Sequence, residues 1–158
     1  MMEHKTNVMR ILERYKITYT AHCYKDKGVI SGIDVAKVMD QPPEQVLKTL
    51  VAVEKSRKYY VFVIPVNREL DLKKAAAAAG EKSVSMLPQK ELLGLTGYIH
   101  GGCSPIGMKK QFPTFLDVSA EKQTTIIFSA GQVGYQVELE PGQLSKSLVF
   151  QTAELTVS

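Results

Sequence analysis

The chain has 158 residues, 44% hydrophobic and 23% charged, with a mean hydropathy of -0.08. These proportions describe an ordinary globular protein and exclude a disordered chain, a collagen-like repeat and a coiled coil. Twenty basic against 16 acidic residues leave a net charge of +4, and 16 of the 20 are lysines. Lysine suits diffuse attraction to a polyanion better than bidentate base reading, so the excess permits nucleic-acid contact without demanding it.

The length predicts one domain spanning 1–158. His4, Lys5, Arg10, Glu13 and Arg14 charge the N-terminal region too heavily for an export signal. The longest uncharged stretch, Leu92 to Met108, is broken by five glycines and a proline and cannot form a lipid-embedded helix. A cytoplasmic protein without a membrane span is expected. Cys23 and Cys103 form no CxxC pair and no H-x-x-x-H pattern occurs, so neither a disulfide framework nor a metal site is indicated.

In chain order, Val8, Ile11, Leu12 and Tyr15 fall at i, i+3, i+4 and i+7 and predict an amphipathic helix. Thr18 to Tyr24 alternates as a strand does, and Lys25 to Ser31 reads as turn. Ser31 and Asp34 have capping-box-like spacing for a second helix, and Pro43 can open a further short one. Thr49 to Val53 and Tyr59 to Val66 are valine-rich runs separated by Glu54 to Lys58, which predicts a buried hairpin. Leu70 to Ala79 is a helix former stopped by Gly80, Ser83 to Leu87 a short strand, and Pro88 to Leu93 a short helix closed by Gly94.

Gly97, Gly101, Gly102, Pro105 and Gly107 then crowd into eleven residues and predict a functional loop. Beyond Pro113, Thr114 to Val118, Thr124 to Ser129 and Tyr135 to Glu140 read as strands, and Leu144 to Leu148 as a short helix. Strands and helices intermix throughout, which is the pattern of an α+β fold.

The loop Gly101-Gly102-Cys103-Ser104-Pro105-Ile106-Gly107 carries most of the functional signal. Glycines let backbone N–H groups turn toward a carbonyl oxygen, an oxyanion or a phosphate. It is neither a P-loop, which needs Gly-Lys-Ser/Thr where Gly107 is followed by Met108, nor a G-x-S-x-G elbow around Ser104. A plain structural turn is the competing reading. Cys103 with His100 or His22 as base would make a thiol nucleophile, but a lone cysteine is more often a small buried apolar residue. Lys48 interrupts the apolar run Val46 to Val51 and either snorkels to water or points into a cleft; pattern alone favours the first.

Taken together, Val46-Leu47-Lys48-Thr49-Leu50-Val51, Leu70-Asp71-Leu72-Lys73-Lys74, Thr96-Gly97-Tyr98, the glycine loop, Lys109-Lys110 and Phe128-Ser129-Ala130-Gly131 stand in one order over nearly the whole chain. That set resembles the YbaK, or EbsC, family of Cys-tRNA(Pro)/Cys-tRNA(Cys) deacylases, relatives of the editing insertion of prolyl-tRNA synthetases. The resemblance implies a mixed, mostly antiparallel, barrel-like sheet flanked by helices, and an editing enzyme that frees a tRNA mischarged with cysteine. It implies no cofactor and no metal. Mischarged tRNA is the implied partner, with prolyl-tRNA synthetase as a second.

By the same resemblance the essential lysine falls on Lys48, and Gly101 and Gly102 offer backbone donors to the ester carbonyl. Tyr24, Ser31, Thr49, Ser104, Ser129 and Gln136 are the expected substrate-binding positions. The chain departs from the family at Gln132 and Val133, where basic residues are frequent, at Gln136, where an aspartate occurs, and at Ser31, where a bulky residue aligns. The family mechanism has the substrate's own cysteine thiol attack its carbonyl. A deacylase for another small amino acid such as alanine, using water, a non-catalytic tRNA- or nucleotide-binding module, and a Cys103 hydrolase stay open as alternatives.

Overall fold

The computed structural model describes residues 4–158. Helix α1 (Asn7–Arg14) is capped by Thr6, whose hydroxyl accepts from the Met9 amide, and it buries Val8, Met9 and Leu12. Tyr15, expected on the same stripe, lies past the last helical residue and is half exposed. Strand β1 (Thr20–Cys23) follows, then α2 (Gly32–Val38), with Ser31 at its N-cap accepting from the Asp34 amide.

The short helix expected at Pro43 is a turn: Gln45 and Val46 donate to the carbonyls of Pro42 and Pro43, and the chain passes straight into β2 (Leu47–Val53). The predicted hairpin is present. Strands β2 and β3 (Tyr59–Pro65) pair antiparallel, with Lys48 opposite Ile64 and Thr49 opposite Val63. Helix α3 (Leu72–Ala79) starts at Asp71, whose carboxylate accepts from the Lys73 and Lys74 amides, and stops at Gly80 in the left-handed region, φ 73°.

A two-residue strand, β4 (Ser85–Met86), precedes α4 (Gln89–Thr96). That helix runs through Gly94, which faces open space, and ends instead at Gly97, φ 86°, whose amide donates to the Leu93 carbonyl. The remaining strands are β5 (Thr114–Asp117), β6 (Ile126–Ser129), β7 (Tyr135–Leu139) and β8 (Gln151–Ala153). The segments at 118–122 and 141–146 are short 3-10 helices, the second of them taking the place of the expected last helix.

The strands form two sheets, β1-β7-β6 and β4-β2-β3-β5-β8. Pairing is antiparallel except for β3 with β5 and β5 with β8. The α+β class holds, but the sheets do not close into a barrel. They are joined at one parallel bridge, Val46 to Ile127, where the Ile127 amide donates to the Gln45 carbonyl at 3.0 Å.

The main core lies between the sheets under α1 and the glycine loop, and includes Leu12, Val51, Val63, Ile106, Phe128 and Val137. A second cluster packs α3 through Ala75 and Ala76 onto Phe62, Ile64 and Phe115 on the far face of the larger sheet. A third places Ala36 of α2 against Val46, Val66 and Ile127, directly over the junction of the sheets.

Candidate active site

Beyond the Val46–Ile127 bridge, β2 and β6 part, and a cavity of 330 Å³ opens between them. One wall is the edge of β2 at Lys48, Thr49 and Leu50; the other is Phe128 and Ser129 of β6 with Gln136 of β7. Ile30 to Ile33, at the start of α2, and His100-Gly101 of the glycine loop form its rim. Strands that diverge from a shared bridge leave a crevice at the carboxyl end of the shorter one, the same geometric reason that ligand clefts form where neighbouring strands separate.

Lys48 is half buried in this wall. Burial pushes its ammonium below the usual lysine range, opposed by the charge of Glu69. Among the described residues no carboxylate pairs with it directly. The strand pattern favours a snorkelling lysine; the structure makes it a lining residue of the cavity, on a stretch of the β2 edge with no strand paired to it. Thr49 is the adjacent wall residue, and its buried hydroxyl has no hydrogen-bond partner among the described residues. Ser129 Oγ accepts from the Gly131 amide at 3.1 Å, which leaves its hydrogen to donate elsewhere.

The glycine loop is held from below. Cys103, Ile106 and Met108 are buried in the main core, and Tyr98 Oη donates to the Ile106 carbonyl at 2.5 Å. The Tyr98 ring lies where a Cβ on Gly107 or Gly131 would go, which is why both positions are glycine at φ 82° and 91°. Gly101 is at φ 86° and borders the cavity, and its N–H has no acceptor among the described residues.

Seven of the nine expected site positions, Tyr24, Ser31, Lys48, Thr49, Gly101, Ser129 and Gln136, surround this cavity. Gly102 and Ser104 do not. The Gly102 amide donates to the Ile99 carbonyl at 2.9 Å, closing the turn, so it has no hydrogen left for an ester carbonyl. Ser104 is fully buried with its hydroxyl accepting from the Ile106 amide, and it supports the loop rather than meeting a ligand. Ser31 spends an acceptor site on its helix cap, and so borders the mouth as a small residue.

Cys103 also borders the cavity, but burial pushes its thiol up to about 12, with Thr96 opposing. A thiol with that affinity for its proton is a poor nucleophile at neutral pH. Sequence reasoning missed Ile30, Ile33 and Leu92, which give the cavity its apolar character. Among the described residues no three His, Cys, Asp or Glu side chains converge as metal ligands, and no helix is long and apolar enough to cross a membrane.

The pattern of the aminoacyl-tRNA editing domain matches residues 29–152, and the chain belongs to that family. A protein of Enterococcus faecalis (strain ATCC 700802 / V583), provisionally named Cys-tRNA(Pro)/Cys-tRNA(Cys) deacylase EbsC, is 45% identical over 155 residues, 98% of this chain and 94% of its own length. An uncharacterized protein of Bacillus subtilis (strain 168), YwhH, is 31% identical over 86 residues, 54% of each chain. The fold is also that of a solved structure described as a candidate trans-editing enzyme for prolyl-tRNA synthetase, with a TM-score of 0.81, 21% identity, and coverage of 98% of this chain and 100% of that one.

Proposed function

We propose that this chain is a trans-editing deacylase that removes cysteine from Cys-tRNA(Pro), and that it takes Cys-tRNA(Cys) as well. The observation that carries the reading is that Lys48, half buried, and the Gly101 amide, both without partners among the described residues, line one small cavity in a chain of the editing family. The name of the Enterococcus relative supports the choice of cysteine.

An aminoacyl ester is already activated, so orientation and charge stabilisation suffice and no potent enzyme nucleophile is needed. The cavity, at the small end of ligand sites, suits the aminoacyl end and part of its ribose. In this mechanism the Gly101 N–H donates to the ester carbonyl oxygen as it gains charge. Lys48 holds the ester or the terminal phosphate through its positive charge. The Thr49 and Ser129 hydroxyls shape the polar wall.

The substrate's thiol sulfur then bonds to its own carbonyl carbon, and the carbon–oxygen bond to the ribose breaks. The thiol proton ends on the released ribose hydroxyl, and the amino acid leaves as a cyclic thioester. Serine, alanine and proline lack that thiol, so discrimination lies in the reaction rather than in tight fit. Lysine-rich surfaces such as Lys109-Lys110, both exposed, give tRNA a diffuse, salt-sensitive grip with little base readout. Prolyl-tRNA synthetase is then the source of tRNA selection, and the site of action is the cytoplasm.

The test is deacylation of purified Cys-tRNA(Pro), Cys-tRNA(Cys) and Ala-tRNA(Pro) by the wild-type protein. Loss of cysteine but not alanine is expected. Loss of alanine with cysteine retained would overturn the reading in favour of a water-using deacylase.

A further inference from the structure

Gln136 sits on β7, opposite Ser129 of β6 and His22 of β1 in register, and its side chain borders the cavity although the residue is only 4% exposed. A primary amide carries two N–H donors and two oxygen lone pairs. Two of these four are used, and both go to Gln41. Gln41 Nε2 donates to Gln136 Oε1 at 2.9 Å, and Gln136 Nε2 donates back to Gln41 Oε1 at 3.3 Å. One N–H and one lone pair of a buried amide therefore remain without a partner among the described residues.

The charged neighbour on the same strand is committed elsewhere. Glu138, two residues along β7, accepts from Thr125 at 2.5 Å and from Gln45 at 3.3 Å, and lies 2.7 Å from His22 Nε2. Gln41 is itself fixed by its backbone. It follows Asp40, which is in the left-handed region at φ 53°. The Asp40 amide donates to the Lys37 carbonyl and the Gln41 amide to the Ala36 carbonyl, a Schellman closure of α2. Ala36 in turn is packed on the Val46–Ile127 junction. The orientation of the Gln136 amide is thus tied, through Gln41 and the end of α2, to the place where the cavity begins.

We propose that Gln41 is a positioning residue: its reciprocal amide pair locks Gln136 so that the free Oε1 lone pair accepts from the α-ammonium of the bound aminoacyl ester. The inference rests on the deacylase reading above and names what the cavity wall recognises. The acceptor is neutral, so it reads the amine through hydrogen-bond direction and not through an ion pair. Without Gln41 the Gln136 amide is free to turn over, and the amine loses its acceptor while the thiol, the ester and Lys48 are untouched.

The test compares Cys-tRNA(Pro) with tRNA(Pro) esterified by 3-mercaptopropionate, which keeps thiol and ester but lacks the amine, under single-turnover conditions. Gln41→Met is expected to raise the half-saturating concentration for Cys-tRNA(Pro) about tenfold, the equivalent of one hydrogen bond to a charged group, with the maximal rate little changed. The mercaptopropionyl ester should be unaffected, and adding Gln41→Met to Gln136→Met should cost nothing more. Equal weakening of both substrates, or additive losses in the double variant, would overturn the proposal. Gln41→Asn, which also breaks the pair and keeps the polarity, serves if the first variant is unstable.

If the wild type leaves Cys-tRNA(Pro) intact, the deacylase reading falls, and the positioning claim is read separately from the Gln136 side-chain amide signals in nitrogen-15 NMR. Those signals should shift on titration with cysteine methyl ester but not with methyl 3-mercaptopropionate, and with neither in Gln41→Met. A response to both esters, or to neither in the wild type, would contradict it.

Discussion

Lys48 and Thr49 are consecutive residues of β2, opposite Ile64 and Val63, and both border the same cavity although their side chains leave opposite faces of the strand. The β2 edge is open along this stretch, between the Val46–Ile127 bridge and the pairing with β4 that begins at Ala52. A strand within a sheet shows a ligand one face; an open edge shows it both.

The Lys48 ammonium is held in the wall against its solvation preference, with its proton affinity lowered by burial. Where the folded-state pKa lies below the unfolded value of 10.5, the unfolded chain binds the proton more tightly, so stability rises with pH between the two and the charge opposes folding at pH 7. Lys48→Met should therefore leave the melting temperature unchanged or higher, while deacylation of Cys-tRNA(Pro) falls by roughly 10²–10³, the usual cost of removing a preorganised charge from a reaction site. Thermal melts beside single-turnover rates check this; a destabilised variant would mean that the lysine is structural.

Gly101 and Gly28 both occupy the left-handed region, at φ 86° and 72°, but only Gly101 borders the cavity. A Cβ on Gly101 would fall 2.4 Å from a methyl of Ile30, whereas one on Gly28 meets nothing within 4 Å. Either alanine substitution costs about 1–2 kcal/mol of backbone strain. Both should lower stability in denaturant titrations, Gly101→Ala the more because its Cβ also displaces Ile30, while only Gly101→Ala impairs deacylation. Similar activities would show that the loop amide takes no part.

Much of this layout was legible in the residues and some was not. Gly80 and the valine-rich runs around Glu54 to Lys58 announced α3 and the hairpin because each is a local signal. The glycine loop and Lys48 were visible as interruptions of pattern. Gly94 has the look of a helix stop because sequence does not show that Gly97, three residues on, closes the helix with its own hydrogen bond. Pro43 suits a helix start by its fixed φ, but the strand that follows leaves no room for a turn of helix. The loss of Gly102 and Ser104 from the site had no sequence signal: which way a glycine amide points is decided by the turn, here by the Ile99 carbonyl. Gln41 was missed for a related reason, since its partner is 95 residues away.

The buried thiol of Cys103, pushed up to about 12, should be inert at neutral pH. Alkylation with iodoacetamide at pH 7.5 should modify exposed Cys23 and spare Cys103. Cys103→Ala should retain most deacylation and lose about 1 kcal/mol of stability through the small cavity it leaves. Because the folded state keeps this proton above 9, where the unfolded chain loses it, stability should fall from about pH 9 toward 12, and the fall should be shallower in the variant. Abolished activity in a folded variant would restore the cysteine-hydrolase reading.

Tyr98 anchors the loop through the Ile106 carbonyl and fills the space beside Gly107 and Gly131. Tyr98→Phe keeps the ring and deletes the hydroxyl, leaving that carbonyl unpaired in the core, at a cost of about 1–3 kcal/mol. Hydrogen exchange should show faster opening confined to 98–108. An unchanged exchange pattern would mean that the loop is held by Cys103, Ile106 and Met108 alone.

The most direct measurement is the rate at which wild-type protein and its Lys48→Ala variant release amino acid from Cys-tRNA(Pro), run beside Ala-tRNA(Pro). Fast loss of cysteine is expected with the wild type, slow loss with the variant, and stable alanyl ester with both. A Lys48→Ala protein that cleaves cysteine at the wild-type rate would contradict it.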